Sequence, residues 1–131
     1  MRRLRVAAGI LRDTCGRVLI AERVGGGPFQ GMWEFPGGKI GNGESPQQAL
    51  ERALAEALGV ELGAVDRFMH LEHNYPDRSV SLDFFLVRGW KNDPAGLEGQ
   101  ALRWVSPAQL GDQDILPADV PVIEALQQMA S

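Results

Sequence analysis

The chain has 131 residues, of which 44% are hydrophobic and 23% are charged. These values are ordinary for a globular protein, and the length predicts one domain over residues 1–131 with a core of its own. The formal net charge of -4 argues against a nucleic acid polymer as partner, because such partners require many phosphate contacts from Lys and Arg. It does not exclude a small nucleotide, since Mg2+ can bridge carboxylates to phosphates.

Cysteine content and hydropathy predict a cytoplasmic protein without a membrane partner. The single cysteine, Cys15, excludes an internal disulfide and suits a reducing compartment. No apolar run approaches the length of a membrane span, and the basic start at residues 1–6 lacks the long apolar segment of a signal peptide. The sequence leaves the oligomeric state open, and a monomer is compatible with it.

The first part of the chain predicts two strands and a flexible loop. Residues 4–11 and 17–22 have strand-like patterns and are separated by turn residues at 13–16. Residues 24–31 read Val-Gly-Gly-Gly-Pro-Phe-Gln-Gly, which predicts a flexible loop. Such loops either move over a functional site or simply connect two elements.

A second glycine-rich loop leads into a capped amphipathic helix. Ser45 is a good N-cap, Pro46 suits the first helical position and Gly59 is a typical terminator. At 3.6 residues per turn, positions 52, 53, 56 and 57 lie on one side of this helix, beside the loop.

The second half predicts three strands and a terminal helix. Strands at 66–74 and 80–88 are joined by a turn at 75–78, and a third strand covers 102–105. A helix follows from about residue 120 to 129. Strands mixed with a few helices indicate an α/β or α+β protein.

The loop and helix between Gly37 and Val60 follow a defined spacing. A glycine is followed after five residues by a glutamate, and after seven more by Arg-Ala-Leu-Ala-Glu-Ala-Leu-Gly-Val. This pattern resembles the signature of the Nudix hydrolases, with these positions in register: Gly38, Glu44, Arg52, Leu54, Glu56, Gly59 and Val60. Ala53 and Ala57 depart from it, because the family has glutamate at both positions.

The resemblance extends beyond this box to the MutT-type branch of the family, over residues 4–10, 33–39, 75–78, 98–100 and 117–123. It implies an α/β fold with a mixed sheet sandwiched between helices. It also implies hydrolysis of nucleoside triphosphates such as 8-oxo-dGTP to monophosphate and pyrophosphate, with Mg2+ (or Mn2+) as cofactor. The expected role is therefore removal of oxidised nucleotides, a form of DNA repair.

The resemblance also implies a metal site. In the family, glutamates at positions equivalent to 53, 56 and 57 hold the metal, and a backbone carbonyl and a distant glutamate complete the set. In this chain the implied ligands are Glu56, Glu98 and the carbonyl of Gly37. Glu51 cannot replace the missing pair, because it points about 140° away from Glu56 around the helix.

The same resemblance assigns Glu44, Arg52 and Glu56 to the catalytic box, with the first two bracing the loop against the helix. The helix also has a plain structural interpretation. Its alanines and leucines form an ordinary apolar stripe, and Arg52 with Glu56 is a common i,i+4 ion pair. Without the resemblance this interpretation would be favoured.

The substrate-binding residues implied by the resemblance are Arg23, Phe35, Gly37, Gly38, Lys39, Arg78 and Asp119. Arg23 would contact phosphate, and Phe35 and Arg78 would flank the base. Each has an alternative: a solvated strand end for Arg23, a core position for Phe35, and a turn position for Arg78. The two glycines would let the backbone approach phosphate oxygens.

Asp119 occupies the position that reads the base in the branch. The best-known members specific for 8-oxoguanine have asparagine there, which donates and accepts hydrogen bonds, whereas ionised aspartate only accepts. This difference opens CTP or dCTP as alternative substrates, because the exocyclic amine of cytosine donates. Asp119 is equally well placed as N-cap of the last helix.

Ala53 and Ala57 predict impaired or abolished hydrolysis in this chain. The pattern favours deliberate inactivation over drift, which would also have touched positions such as Glu44, and the sequence leaves both open. The alternative function is a catalytically inert module that binds a nucleotide or a protein partner.

Overall fold

A computed structural model describes residues 2–27 and 29–129. The longest sheet has four strands in the order β4-β1-β7-β6, where β1 is Arg2–Leu11, β4 is Gly37–Lys39, β6 is Val65–Tyr75 and β7 is Arg78–Val87. The pair β1 and β7 is parallel, whereas the other two pairs are antiparallel. The sheet is therefore mixed, as predicted.

Two smaller sheets complete the strands. The first has the order β3-β2-β9, with β2 at Val18–Glu22, β3 at Trp33–Glu34 and β9 at Leu102–Val105. The second pairs β5 at Glu61–Leu62 with β8 at Trp90–Lys91. The short strands β3, β4, β5 and β8 were not predicted, because two or three residues carry no readable alternation.

The box helix, α1, spans Pro46–Leu58 and has the predicted ends. The Ser45 side chain accepts from the N–H of Gln48, the Gln48 side chain accepts from the N–H of Ser45, and Gly59 ends the helix at a φ of 72°. A positive φ of this kind favours glycine. Leu50, Leu54 and Leu58 are fully buried.

The last helix, α2, spans Val120–Met129, also as predicted. Two 3-10 helices precede it, Pro107–Asp112 and Pro117–Asp119. No helix within the described residues is long and apolar enough to cross a membrane.

Two apolar clusters lie on opposite faces of the large sheet. One contains buried side chains of α1 together with Ala7, Leu11, Phe85 and Val87. The other contains Val122, Ile123 and Leu126 of α2 together with alternate residues of β1 and β7. Because successive strand residues point to opposite faces, each strand contributes to both clusters. The expected α/β sandwich of a mixed sheet between helices is confirmed.

Candidate active site

A cleft of about 400 Å3 opens at one end of the two larger sheets. Its walls come from alternate residues of β1 and of the first half of β7, the ends of β2 and β6, and the segment around β3 and β4. The C-terminal end of α1, the loop before β9 and the 3-10 helix before α2 complete them. Polar or charged side chains among its lining residues are Glu22, Arg23, Glu34, Lys39, Tyr75, Arg78, Glu98, Gln100 and Asp119.

The cleft brings together most of the predicted site residues. All seven predicted substrate-binding residues line it: Arg23, Phe35, Gly37, Gly38, Lys39, Arg78 and Asp119. Glu98 and Ala57 line it as well. Glu44, Arg52, Ala53 and Glu56 are not among the described lining residues. The catalytic box residues therefore stand directly behind the cleft wall, where Arg52 bonds to the carbonyl of Lys39 and Ala53 lies against Gly38.

Glu44 and Arg52 form the predicted brace between loop and helix. Arg52 donates from Nε to Glu44 Oε2 at 2.8 Å and from Nη2 to Glu44 Oε1 at 3.0 Å. The same Nη2 donates to the carbonyl of Lys39 at 2.8 Å, and the N–H of Gly41 donates to Glu44 Oε1 at 2.7 Å. The hydrogen bonds from Arg52 lower the pKa of Glu44 to about 2. The brace thus fixes β4 and the following loop on α1.

Strand β4 requires its glycines for close packing. A Cβ on Gly37 would lie 2.0 Å from the carbonyl oxygen of Ala7, and a Cβ on Gly38 would lie 2.8 Å from the Cβ of Ala53. Real Cβ atoms do not approach other atoms so closely. The floor of the cleft is therefore formed by bare backbone, which a phosphate group can approach.

The residues present do not fit the three-carboxylate metal platform that the family resemblance implies. Glu98 and Gly37 line the cleft, but Glu56 does not, and the Glu56 side chain is 63% exposed. Arg52 Nη1 lies 3.6 Å from Glu56 Oε2. This is the i,i+4 ion pair that the alternative, purely structural interpretation of the helix predicted. No three His, Cys, Asp or Glu side chains among residues 2–27 and 29–129 are grouped to hold a metal ion. Alanine at 53 and 57 explains this, because carboxylates there would project beside Gly38 and into the cleft.

Glu98 is held at the cleft by a contact that the sequence did not reveal. Buried Gln100 accepts from the N–H of Glu98 at 2.9 Å and donates from Nε2 to the carbonyl of Ala57 at 3.1 Å. The N–H of Leu97 donates to the same carbonyl at 3.1 Å. The loop that carries Glu98 is therefore docked on the C-terminal end of α1.

Asp119 and Phe35 form the buried end of the cleft. The N–H of Phe35 donates to Asp119 Oδ2 at 3.3 Å, and only 4% of Asp119 is exposed. Burial and, to a smaller extent, the nearby Glu34 carboxyl together raise the pKa of Asp119 to about 7, against the lowering effects of the Phe35 N–H and Arg23. The Phe35 ring packs edge-on against Phe84 at 6.2 Å between ring centroids.

The N-cap alternative for Asp119 is wrong. A 3-10 helix at Pro117–Asp119 leads directly into α2, so the helical segment has begun before Asp119. The position before this segment is Leu116, which has no capping side chain. The Asp119 carboxylate instead accepts from the N–H of Phe35, in the segment between β3 and β4.

Arg78 lies beside Tyr75 on the opposite wall. The guanidinium carbon of Arg78 is 5.4 Å from the centroid of the Tyr75 ring, and the Phe29 ring packs on Tyr75 at 5.4 Å. Arg78 Nε is buried without a hydrogen-bond partner among the described residues. An unsatisfied buried donor in a cleft wall is costly, and a bound ligand can satisfy it.

Arg23 is paired with Glu34, a residue that the sequence analysis missed. Arg23 Nη1 lies 3.2 Å from Glu34 Oε1, and both side chains are about one-third exposed. Burial raises the pKa of Glu34, against the lowering effect of Arg23. One sequence feature could have indicated its role: Glu34 is a charged residue between two aromatic ones, Trp33 and Phe35, and just ahead of Pro36-Gly37-Gly38.

Neither His70 nor His73 is among the residues that line the cleft. His70 Nδ1 lies 2.7 Å from Asp83 Oδ1, and the His73 ring packs against Tyr75 at 4.5 Å. Cys15 is exposed.

Comparison with known proteins identifies the family. The model of the NUDIX domain matches residues 7–125. The chain is 39% identical to 8-oxo-dGTP diphosphatase of Escherichia coli (strain K12), over 98% of this chain and 100% of that protein. It is 36% identical to CTP pyrophosphohydrolase of the same organism, over 95% of this chain and 90% of that protein.

Solved structures agree with this result. The E. coli ORF135 protein in solution superposes with a TM-score of 0.87 at 32% identity, covering 100% of this chain and 93% of that one. A MutT structure from work on Aliivibrio salmonicida and Vibrio cholerae superposes with a TM-score of 0.83 at 33% identity, covering 95% and 97%. Nudix hydrolases generally need a divalent metal ion. The chain therefore belongs to the Nudix hydrolase family, as a pyrophosphohydrolase of the MutT type.

Proposed function

We propose that the cleft binds a nucleoside triphosphate, with its base at the end formed by Phe35, Arg78 and Asp119. Its phosphates lie along Arg23 and strand β4. The observation that supports this arrangement is that all seven predicted binding residues, from distant parts of the chain, line one cleft. The cleft offers an aromatic surface, a guanidinium and a buried acceptor at one end, and cations with bare backbone at the other.

The reaction we propose is release of pyrophosphate from oxidised nucleoside triphosphates such as 8-oxo-dGTP, which removes them from the nucleotide pool. In this chain we expect the reaction to be strongly impaired. A divalent ion such as Mg2+, when bound, neutralises charge on the phosphates. Ala53 and Ala57 leave Glu98 as the carboxylate of the predicted ligand set that lines the cleft. We therefore expect binding to be retained and hydrolysis to be slow.

A second candidate substrate is a cytidine triphosphate, and Asp119 favours it. When Asp119 is ionised, above its pKa of about 7, Oδ2 accepts from Phe35 and Oδ1 is left to accept from an exocyclic amine. Asp119→Asn should therefore change the relative affinities for guanine-type and cytosine-type nucleotides. An unchanged preference would argue against base reading by this side chain.

The test combines binding with turnover. Thermal unfolding with 8-oxo-dGTP, dGTP, CTP and dCTP, with and without Mg2+, measures binding, since ligand at 100 times Kd stabilises by about 2.7 kcal/mol. Arg23→Gln should weaken triphosphate binding, whereas Arg12→Gln, an exposed arginine outside the cleft, should not. Pyrophosphate release should be barely above background. The glutamate that the family has at position 53 is a candidate general base, and loss of such a base alone costs about 10²–10⁴-fold.

Restoring both carboxylates gives the decisive comparison. Ala53→Glu with Ala57→Glu should recover metal-dependent pyrophosphate release, and each single change should recover less, because residues that act as a unit are non-additive. Brisk turnover by the unaltered chain would contradict the role assigned to positions 53 and 57. A double variant that binds nucleotide and metal but stays inert would favour the binding-module alternative.

A further inference from the structure

The pair of Glu34 and Arg23 is built into the cleft by strand pairing. Ala21 of β2 lies opposite Glu34 of β3, and the N–H of Arg23 donates to the carbonyl of Met32 at 2.8 Å. The N–H of Gly31 donates back to the carbonyl of Arg23 at 2.9 Å. The backbone on both sides of the ion pair is therefore fixed by hydrogen bonds, and the 3.2 Å contact follows from the register.

The carboxylate of Glu34 engages the Nη1 group of Arg23, the residue proposed to contact an anionic ligand. Both residues line the cleft, and the pair is only about one-third exposed, so little solvent screens it. Burial raises the pKa of Glu34 although Arg23 opposes this effect, which means that the charged carboxylate is held there at a cost. A phosphate that reaches Arg23 must share the guanidinium with Glu34 or displace it.

We propose that Glu34 is a positioning residue that holds Arg23 at the cleft wall and competes with the phosphates of the ligand for its guanidinium. Glu34 thereby sets the affinity of the cleft for the polyphosphate part of a nucleotide, and leaves the affinity for the nucleoside part unchanged. Arg23 has five N–H donors, and the ion pair engages the Nη1 group. This inference rests on the proposed function, which assigns Arg23 to the phosphates.

The test is calorimetric titration of CTP and of cytidine at about pH 9, where Asp119, with a pKa of about 7, is ionised whether or not Glu34 carries a charge. A chelator is present so that no metal-dependent turnover occurs. Glu34→Gln keeps the shape and a hydrogen-bond acceptor but removes the charge. It should tighten CTP binding by about fivefold, the largest factor that a part-exposed ion pair supplies, and leave cytidine binding unchanged. Glu22→Gln is the matched control, because Glu22 lines the same cleft and carries the same charge. It should give a clearly smaller change.

Arg23 supplies the second arm. In the Arg23→Gln background, Glu34→Gln should no longer tighten CTP binding, because the guanidinium for which the carboxylate competes is gone. Weaker CTP binding by Glu34→Gln, equal changes for CTP and cytidine, or an equal effect of Glu22→Gln would overturn the inference. If CTP binds but Glu34→Gln and Glu22→Gln change its affinity equally, the inference fails while the proposed function stands. If no variant binds any nucleotide, the proposed function fails as well.

Discussion

Asp119 offers the sharpest quantitative test of the cleft. Its carboxyl is 4% exposed, accepts one backbone hydrogen bond, and has neighbours of both signs, Glu34 and Arg23. Replacement by asparagine keeps an oxygen that accepts from the N–H of Phe35, and it removes the ionisable proton. The variant therefore isolates the energetic effect of burying this charge.

The expected magnitude follows from the pKa. The pKa of Asp119 rises from 3.8 in the unfolded chain to about 7 in the folded protein. Between these values the folded protein keeps a proton that the unfolded chain has lost, so the wild type loses stability as pH rises through this window. At about 1.4 kcal/mol per pKa unit, the full difference is at most about 4 kcal/mol.

The assay is urea unfolding of wild type and Asp119→Asn from about pH 4 to about pH 8. The variant's free energy of unfolding, minus that of the wild type, should rise across this range by up to about 4 kcal/mol and level off above it. Asp112→Asn makes the same chemical change at an exposed position and should not reproduce the rise. A flat difference for Asp119→Asn would refute the reasoning that a charge is buried here at a cost.

Three further predictions concern the box. Ala53→Glu should destabilise the fold more than Ala57→Glu in denaturant titrations, because Ala53 lies against Gly38 whereas Ala57 opens into the cleft. Ionised Glu44 should stabilise the wild type above about pH 4.5, and this contribution is lost as pH falls through about 2. Glu44→Gln should therefore be less stable than the wild type near neutral pH, and the acid unfolding curves of the two proteins should converge at low pH. Mg2+ titrated calorimetrically into nucleotide-free protein should bind weakly, because Ala53 and Ala57 replace two of the four expected carboxylates, and tight binding would contradict this reasoning.

Local structure could be predicted because its causes are local. The caps of α1 at Ser45 and Gly59, and the turn at Pro76 and Asp77 between β6 and β7, depend on residues a few positions apart. The brace between Glu44 and Arg52 was also predicted, although from a family resemblance and not from geometry. In each case the two residues that make the contact lie within a short stretch of the sequence.

Contacts across the cleft could not be predicted in the same way. Phe35 and Asp119 are 84 residues apart, and Gln100 and Ala57 are 43 apart, so no local pattern connects them. The pairing of Glu34 with Arg23 depends on the short strand β3, which has only two residues. A strand of two residues forms because it pairs with β2, and the residues near β3 in the sequence do not reveal this partner.

The two alanines show why the scaffold and the chemistry of this box can separate. Ala53 and Ala57 are buried among the apolar residues of α1, where alanine is the best helix former and costs nothing in solvation. The loop does not depend on them, because Glu44 and Arg52 hold it through four hydrogen bonds that include Gly41 and Lys39. A glutamate at either position would instead introduce a carboxylate that only a bound cation could compensate. The fold is therefore compatible with alanine at both positions, whereas we expect them to impair a metal-dependent reaction, and the predicted binding residues still line one cleft.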